Sequence, residues 1–245
     1  MQPIWHLLFA IQLHALFFTT DNLKNTYVVT DKNQIVKYDS TGVWQFEFQV
    51  KAEGEVARID ATNPLKILVL YRNSSSIYFL DNTLSYITDI NLSFIGIQNP
   101  SVACNSGDGG FWVYDEAEMK MKKFDMKLKE TEETVQLNSI SSEAFHPEFM
   151  MEENQMLYVS DSTQGILAFD MFGSFIYKIP LKGVKQFQVV NGNIFYQKGN
   201  SLFTYLSKNF EERLITVLPE NSKLVRVAQH CLWVMNENEI SVYPY

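Results

Sequence analysis

The chain has 245 residues, 46% of them hydrophobic and 14% aromatic, and 28 acidic against 20 basic side chains leave a net charge of −8. A domain of this length buries roughly 70–75% of its unfolded surface, so it needs neither disulfide nor metal to fold. The acidic balance excludes a nucleic-acid partner, because holding a phosphate backbone takes a concentrated basic surface.

The first stretch, Met1 to Phe18, is apolar, and two readings of it stay open. It fits an export signal over residues 1–16, although no Lys or Arg opens it, His6, Gln12 and His14 interrupt it, and no small-x-small cleavage site follows. It is too interrupted to span a membrane. In the other reading Phe17 to Asp21 is an inner strand, and Ile4 to Ala10 supplies the strand that the last repeat lacks at Tyr245.

From there the chain repeats itself. Six apolar runs closed by a polar residue end at Asp31, Arg72, Asp115, Asp161, Lys198 and Asn236, at intervals of 41, 43, 46, 37 and 38 residues. Each is followed by a second short strand: Ile35 to Tyr38, Ile77 to Leu80, Met121 to Phe124, Ile166 to Phe169, Leu202 to Tyr205 and Ile240 to Tyr243. Asp39, Asp81, Asp125 and Asp170 close the first four of these, and Leu206 and Pro244 the last two. Inner strands fit ahead of the hairpins at Val56–Ile59, Ser101–Cys104, Phe187–Val190 and Leu224–Val227, and outer ones after them at Val43–Phe48, Tyr86–Ile90, Glu133–Leu137 and Glu212–Val217. Short β-branched and aromatic runs, with no sustained 3.6-residue stripe, exclude helical repeats. A period near 40 residues with four strands per repeat indicates a β-propeller. The expectation is an all-β chain with one propeller domain over residues 17–245, built of six four-stranded blades, the last completed by the N-terminal segment.

Within blade two, Arg58 and Asp60 alternate on a strand expected to line the central channel, and Arg226 does so in blade six. Gly107-Asp108-Gly109-Gly110 in blade three leads into a strand and reads as a turn, not a phosphate loop. The Lys-rich run around Lys120, Lys122 and Lys123, answered by neighbouring acids, reads as a solvated blade edge. Cys104 and Cys231 fall on opposite sides of a six-fold ring and are expected free and buried. Trp5, Trp44, Trp112 and Trp233 read as packing residues.

A catalytic constellation is not evident. Neither His146 nor His230 belongs to a metal-ligand spacing, and there is no Gly-x-Ser-x-Gly elbow. An oxygen-ligand calcium site could be assembled from Asp60, Asn105 and Glu152, without local support in the sequence. No cofactor is expected.

The turns Tyr38-Asp39-x-x-Gly42 and Phe169-Asp170-x-x-Gly173, each after an aliphatic strand, resemble the repeats of NHL-type six-bladed propellers. The run Asn63-Pro64-Leu65-Lys66-Ile67, with Leu70-Tyr71 and Leu80-Asp81-Asn82, is similar to exported, uncharacterised bacterial propeller-like proteins. The resemblance implies a periplasmic, outer-envelope or secreted location, with the cytoplasm as the alternative. The resulting expectation is a monomeric, non-catalytic binding or scaffold propeller that recognises a protein, peptide or carbohydrate with one face. The alternative is a metal-dependent hydrolase or lactonase of the six-bladed kind.

Overall fold

The computed structural model describes residues 5–51, 54–141 and 143–245. Among these, 24 strands form six four-stranded antiparallel sheets. Blade one holds β2 (Ala15–Thr20), β3 (Thr26–Thr30), β4 (Ile35–Tyr38) and β5 (Trp44–Phe48), in that order from the channel outward. Blade two holds β6 (Val56–Asp60), β7 (Ile67–Tyr71), β8 (Ser76–Leu80) and β9 (Tyr86–Asn91). Blade three follows with β10 (Ala103–Asn105), β11 (Phe111–Asp115), β12 (Lys120–Phe124) and β13 (Glu130–Glu133). Blade four contains β14 (Phe149–Glu153), β15 (Met156–Asp161), β16 (Gly165–Asp170) and β17 (Phe175–Ile179). Blade five contains β18 (Phe187–Val190), β19 (Asn193–Lys198), β20 (Ser201–Leu206) and β21 (Glu211–Val217). Blade six joins both ends of the chain: β22 (Leu224–Ala228), β23 (Cys231–Met235), β24 (Glu239–Pro244) and, outermost, β1 (Phe9–Gln12).

The core is divided between the blades. Six clusters of buried apolar side chains each lie between two neighbouring sheets. Tyr27, Val29 and Ile35 of blade one meet Ile59, Ile67 and Val69 of blade two, for example, and Phe18 and Val28 meet Trp233 and Ile240 across the closing interface. A thin sheet with two apolar faces cannot shield both by itself, and a ring gives each face a partner.

The recurring aspartates set the third turn of the first four blades. Asp39 Oδ1 accepts from the Thr41 and Val43 amides at 2.9 and 3.0 Å, and Asp81 Oδ1 from Thr83 and Ser85 at 2.7 and 2.9 Å. Asp125 repeats this with Lys127 and Lys129 at 2.8 and 3.0 Å, and Asp170 with Phe172 and Ser174, both at 2.9 Å. Three residues on, the backbone turns to positive φ at Gly42, Leu84, Leu128 and Gly173. One extra residue then bulges in the outer strand of blades one to five.

Five expectations need correcting. The closing strand is Phe9–Gln12 and not Ile4–Ala10, of which Ile4 lies outside the described residues; β2 begins at Ala15, ahead of Phe17. The outer strand of blade three is Glu130–Glu133 and not Glu133–Leu137, because the Asp125 turn returns the chain at once and sets Lys122 opposite Glu133 and Lys123 opposite Glu132. The Lys-rich run is no solvated edge. It is the third strand, covered by β13, and Lys122 and Lys123 are buried, Lys122 against Asp115 at 2.9 Å and Lys123 against Asp108 at 2.6 Å. Cys104 and Cys231 are free, but Cys231 is only half-buried. Trp44 packs no core: β5 is an outer strand and the indole is exposed, whereas Trp112 and Trp233 are sealed between blades and Trp5 lies 4.9 Å from the Tyr243 ring.

Candidate functional site

A cavity of about 430 Å³ opens where five of the six inner strands end. Strand alternation places Arg58 and Asp60 of β6 on one side of it, and Phe149, Met151 and Glu153 of β14 facing them. Arg226, from β22, completes the floor, and Thr20, Asn191 and Gln229 lie in the lining where β2, β18 and β22 end.

Both arginines are gathered around one ring. The Arg58 guanidinium carbon is 3.7 Å from the Phe149 centroid and that of Arg226 is 5.6 Å from it, within cation–π range. Arg58 Nη2 donates to the Met150 carbonyl; Arg226 Nη1 donates to the Phe187 carbonyl at 3.3 Å and Nη2 to Gln186 Oε1 at 3.4 Å. The Nε of each is buried without a hydrogen-bond partner. Burial lowers both from the usual arginine range, and burial together with the neighbouring Arg58 charge takes Arg226 down to about 9. A guanidinium stays charged at neutral pH. Among the described residues, neither forms an ion pair.

The acids at this mouth are engaged elsewhere. Asp60 Oδ1 caps Thr62, accepting from its amide at 2.9 Å and hydroxyl at 2.7 Å, while Oδ2 accepts from the Asn105 amide at 2.8 Å. Asp21 accepts from the amides of Leu23 and Asn25 and, at 3.0 Å, from the Tyr27 hydroxyl. Burial, followed by the Asp60 charge, raises Glu153 above the ordinary carboxylate range.

Arg58, Asp60 and Arg226 thus meet in one cavity, as the alternation on their strands implied. Asn105 and Glu152 do not join them. The Asn105 amide bonds to Asp60 across the blade two–three seam. Glu152 accepts from Ser106 Oγ and Trp112 Nε1, both at 2.7 Å, and from the Gly107 amide at 2.9 Å, tying blade four to blade three. No group of three or more His, Cys, Asp or Glu among the described residues is placed to hold a metal ion. His146 and His230 are both exposed. Sequence reading missed Phe149 and Glu153, since no inner strand was assigned to blade four; the alternation of Phe149, Met151 and Glu153 ahead of β15 was the available signal.

The opposite mouth is also concave, lined by Arg72, Glu148 and Lys185 among others, but these three charges are exposed to solvent. The two faces therefore differ in kind: one has a hydrated rim and the other a floor of desolvated cations. No helix among the described residues is long and apolar enough to cross a membrane.

No protein-family model and no curated protein matches this sequence. Solved structures do match in fold. A catalytically inactive virginiamycin B lyase from Staphylococcus aureus with quinupristin aligns with a TM-score of 0.64 at 14% identity, over 96% of this chain and 88% of the lyase. BBS1N in complex with ARL6DN aligns at 0.61 and 12% identity, over 100% and 97%. BamB from Moraxella catarrhalis aligns at 0.54 and 11% identity, over 93% and 82%. At such identities the likeness concerns the fold alone; this chain's own six four-stranded sheets make it an all-β, six-bladed propeller, consistent with the NHL-type resemblance of its repeats.

Proposed function

We propose that this chain is a non-catalytic binding propeller, working in the cell envelope or outside the cell, whose protein, peptide or carbohydrate partner docks on the face onto which the Arg58–Arg226 cavity opens. The observation that carries the reading is the cavity itself, where five inner strands converge on two guanidiniums, that of Arg226 buried and that of Arg58 on a half-buried residue, while the nearby carboxylates of Asp21 and Asp60 are held by neighbouring amides. An arrangement with fixed guanidiniums and engaged acids suits recognition better than proton transfer. BBS1N, a propeller of similar fold, is seen in complex with ARL6DN, which supports the general mode. Because β1 is a strand of blade six, the exported form retains the residues from Trp5 onward, and intact-mass measurement of protein recovered from its host tests this.

The docking face is tested by co-purification from the native host with alanine variants of Thr20, Asn191 and Gln229 on one mouth, and of Arg72, Glu148 and Lys185 on the other. Loss of a partner from the first set alone is expected. Loss from the second set alone, or from neither, contradicts the choice of face.

A further inference from the structure

We propose that the channel cavity is a carboxylate-binding site in which Arg58 and Arg226 grip a singly charged acid group carried on an apolar or aromatic body that rests against Phe149, Met151 and Val189. This deepens the binding reading and rests on its choice of face.

Three observations converge on that chemistry. First, Arg226 is only 7% exposed, yet its Nε has no hydrogen-bond partner, and the Nε of half-buried Arg58 also lacks one. A buried donor without an acceptor is costly, more so when it carries charge, and an anion seated between the two removes that cost. The guanidinium fork matches a planar carboxylate in a way a lysine ammonium does not. Second, the cavity has no surplus positive charge for a multiply charged anion. Two cations are balanced by Asp60 and Asp21, whose oxygens are already bonded to amides, so a single carboxylate is held by the guanidinium hydrogen bonds and not by a net field. A dianionic phosphate would meet those carboxylates as a repulsive shell. Third, Phe149, Met151, Val189 and Val227 give the wall an apolar side, set among polar residues such as Thr20, Gln188 and Gln229, in a cavity of about 430 Å³, within the usual range for small-ligand sites.

The intact chain is titrated with N-acetylphenylalanine and, separately, with N-acetylphenylalaninamide, which has the same body without the charge. The acid is expected to raise the melting temperature saturably, by about 5–10 °C at about 100 times its Kd, and to shift the methyl NMR signal of Met151. The amide is expected to do neither. Equal effects of acid and amide, no effect of either, binding that leaves the Met151 signal in place, or tighter binding of inorganic phosphate would each overturn the proposal.

Arg58→Gln and Arg226→Gln are each expected to weaken the acid by about tenfold or more, and unchanged affinity in a folded variant overturns it too. If a variant does not fold, the acid–amide comparison on the unaltered chain still decides. A longer peptide ending in a free carboxylate separates the sources: tighter binding than N-acetylphenylalanine assigns the group to a peptide chain end, and equal binding assigns it to a small free acid. Loss of the partner in the face variants, combined with no acid binding, leaves the binding reading standing and removes only this one.

Discussion

Ile11 and Ile240, from opposite ends of the chain, sit directly opposite each other on β1 and β24, and both are almost sealed from water. The pair joins the ring. Around it, the Trp5 ring lies tilted against that of Tyr243 and Phe9 packs against the closing cluster. Deleting residues 1–13 exposes the β24 edge and uncovers these side chains, and is expected to cost about 3 kcal/mol or more. Chemical denaturation of the truncated chain measures it, and an unchanged midpoint would contradict the role of β1.

The seam between blades three and four rests on one carboxylate. Glu152 serves as acceptor for Trp112 Nε1, Ser106 Oγ and the Gly107 amide. Glu152→Ala leaves the buried indole N–H unpaired and is expected to cost about 2–4 kcal/mol. Glu152→Gln, which keeps one acceptor oxygen, is expected to lose less. If the two substitutions lower the melting temperature equally, the acceptor role is wrong.

Gly173 occupies φ +81°, and a Cβ there would stand 2.4 Å from the Glu133 carbonyl oxygen of the neighbouring blade. Gly183 has nearly the same φ, +82°, with nothing within 4 Å of its notional Cβ. Gly183→Ala should therefore cost only the left-handed backbone penalty of about 1–2 kcal/mol. Gly173→Ala must in addition push two blades apart, and its melting temperature is expected to fall clearly below that of Gly183→Ala. The reverse order would refute the contact.

Stability should fall in acid. Hydrogen bonds from Thr41 hold Asp39 below its ordinary range; at Asp161 burial pushes upward, but the amides of His146, Thr163 and Gln164 and the Thr163 hydroxyl outweigh it. A carboxylate whose folded pKa is depressed contributes stability that is complete above the unfolded value of about 3.9, and that contribution is lost as pH drops through the folded value. Melting temperature is thus expected to be flat above about pH 5 and to decline below about pH 4. Asp161→Asn should flatten that decline, and a decline of unchanged steepness would remove Asp161 from the explanation.

The fold was legible because its determinants are local and repeated. Asp39, Asp81, Asp125 and Asp170 write the same turn four times, and the third strands that these turns close end within a residue of the expected place. Leu206 and Pro244 offer no side-chain acceptor, and in blade five the Leu206 carbonyl takes the amides of Asn209 and Phe210 instead, yet the alternation of its strands still marked them. Charge misled at β12. Lys122 and Lys123 looked solvated, but each is buried beside an acid that the sequence places several residues away. The cavity was half legible: alternation marked Arg58, Asp60 and Arg226 and also ran through Phe149, Met151 and Glu153, but that Phe149 meets both arginines depends on ring closure, a long-range property.

The ring itself is open to a direct measurement. Ala10 and Ser241 face each other across β1 and β24, beside the Leu13–Asn238 backbone bond that fixes the register. Cysteines at such a cross-strand pair lie within disulfide reach. In the double variant Ala10→Cys, Ser241→Cys, oxidation is expected to link the two ends of the folded chain into a closed loop, seen as a reversible gel shift and a higher melting temperature, with Cys104 and Cys231 left free. If the new thiols stay unlinked in the folded protein, blade six is not built from both ends of the chain.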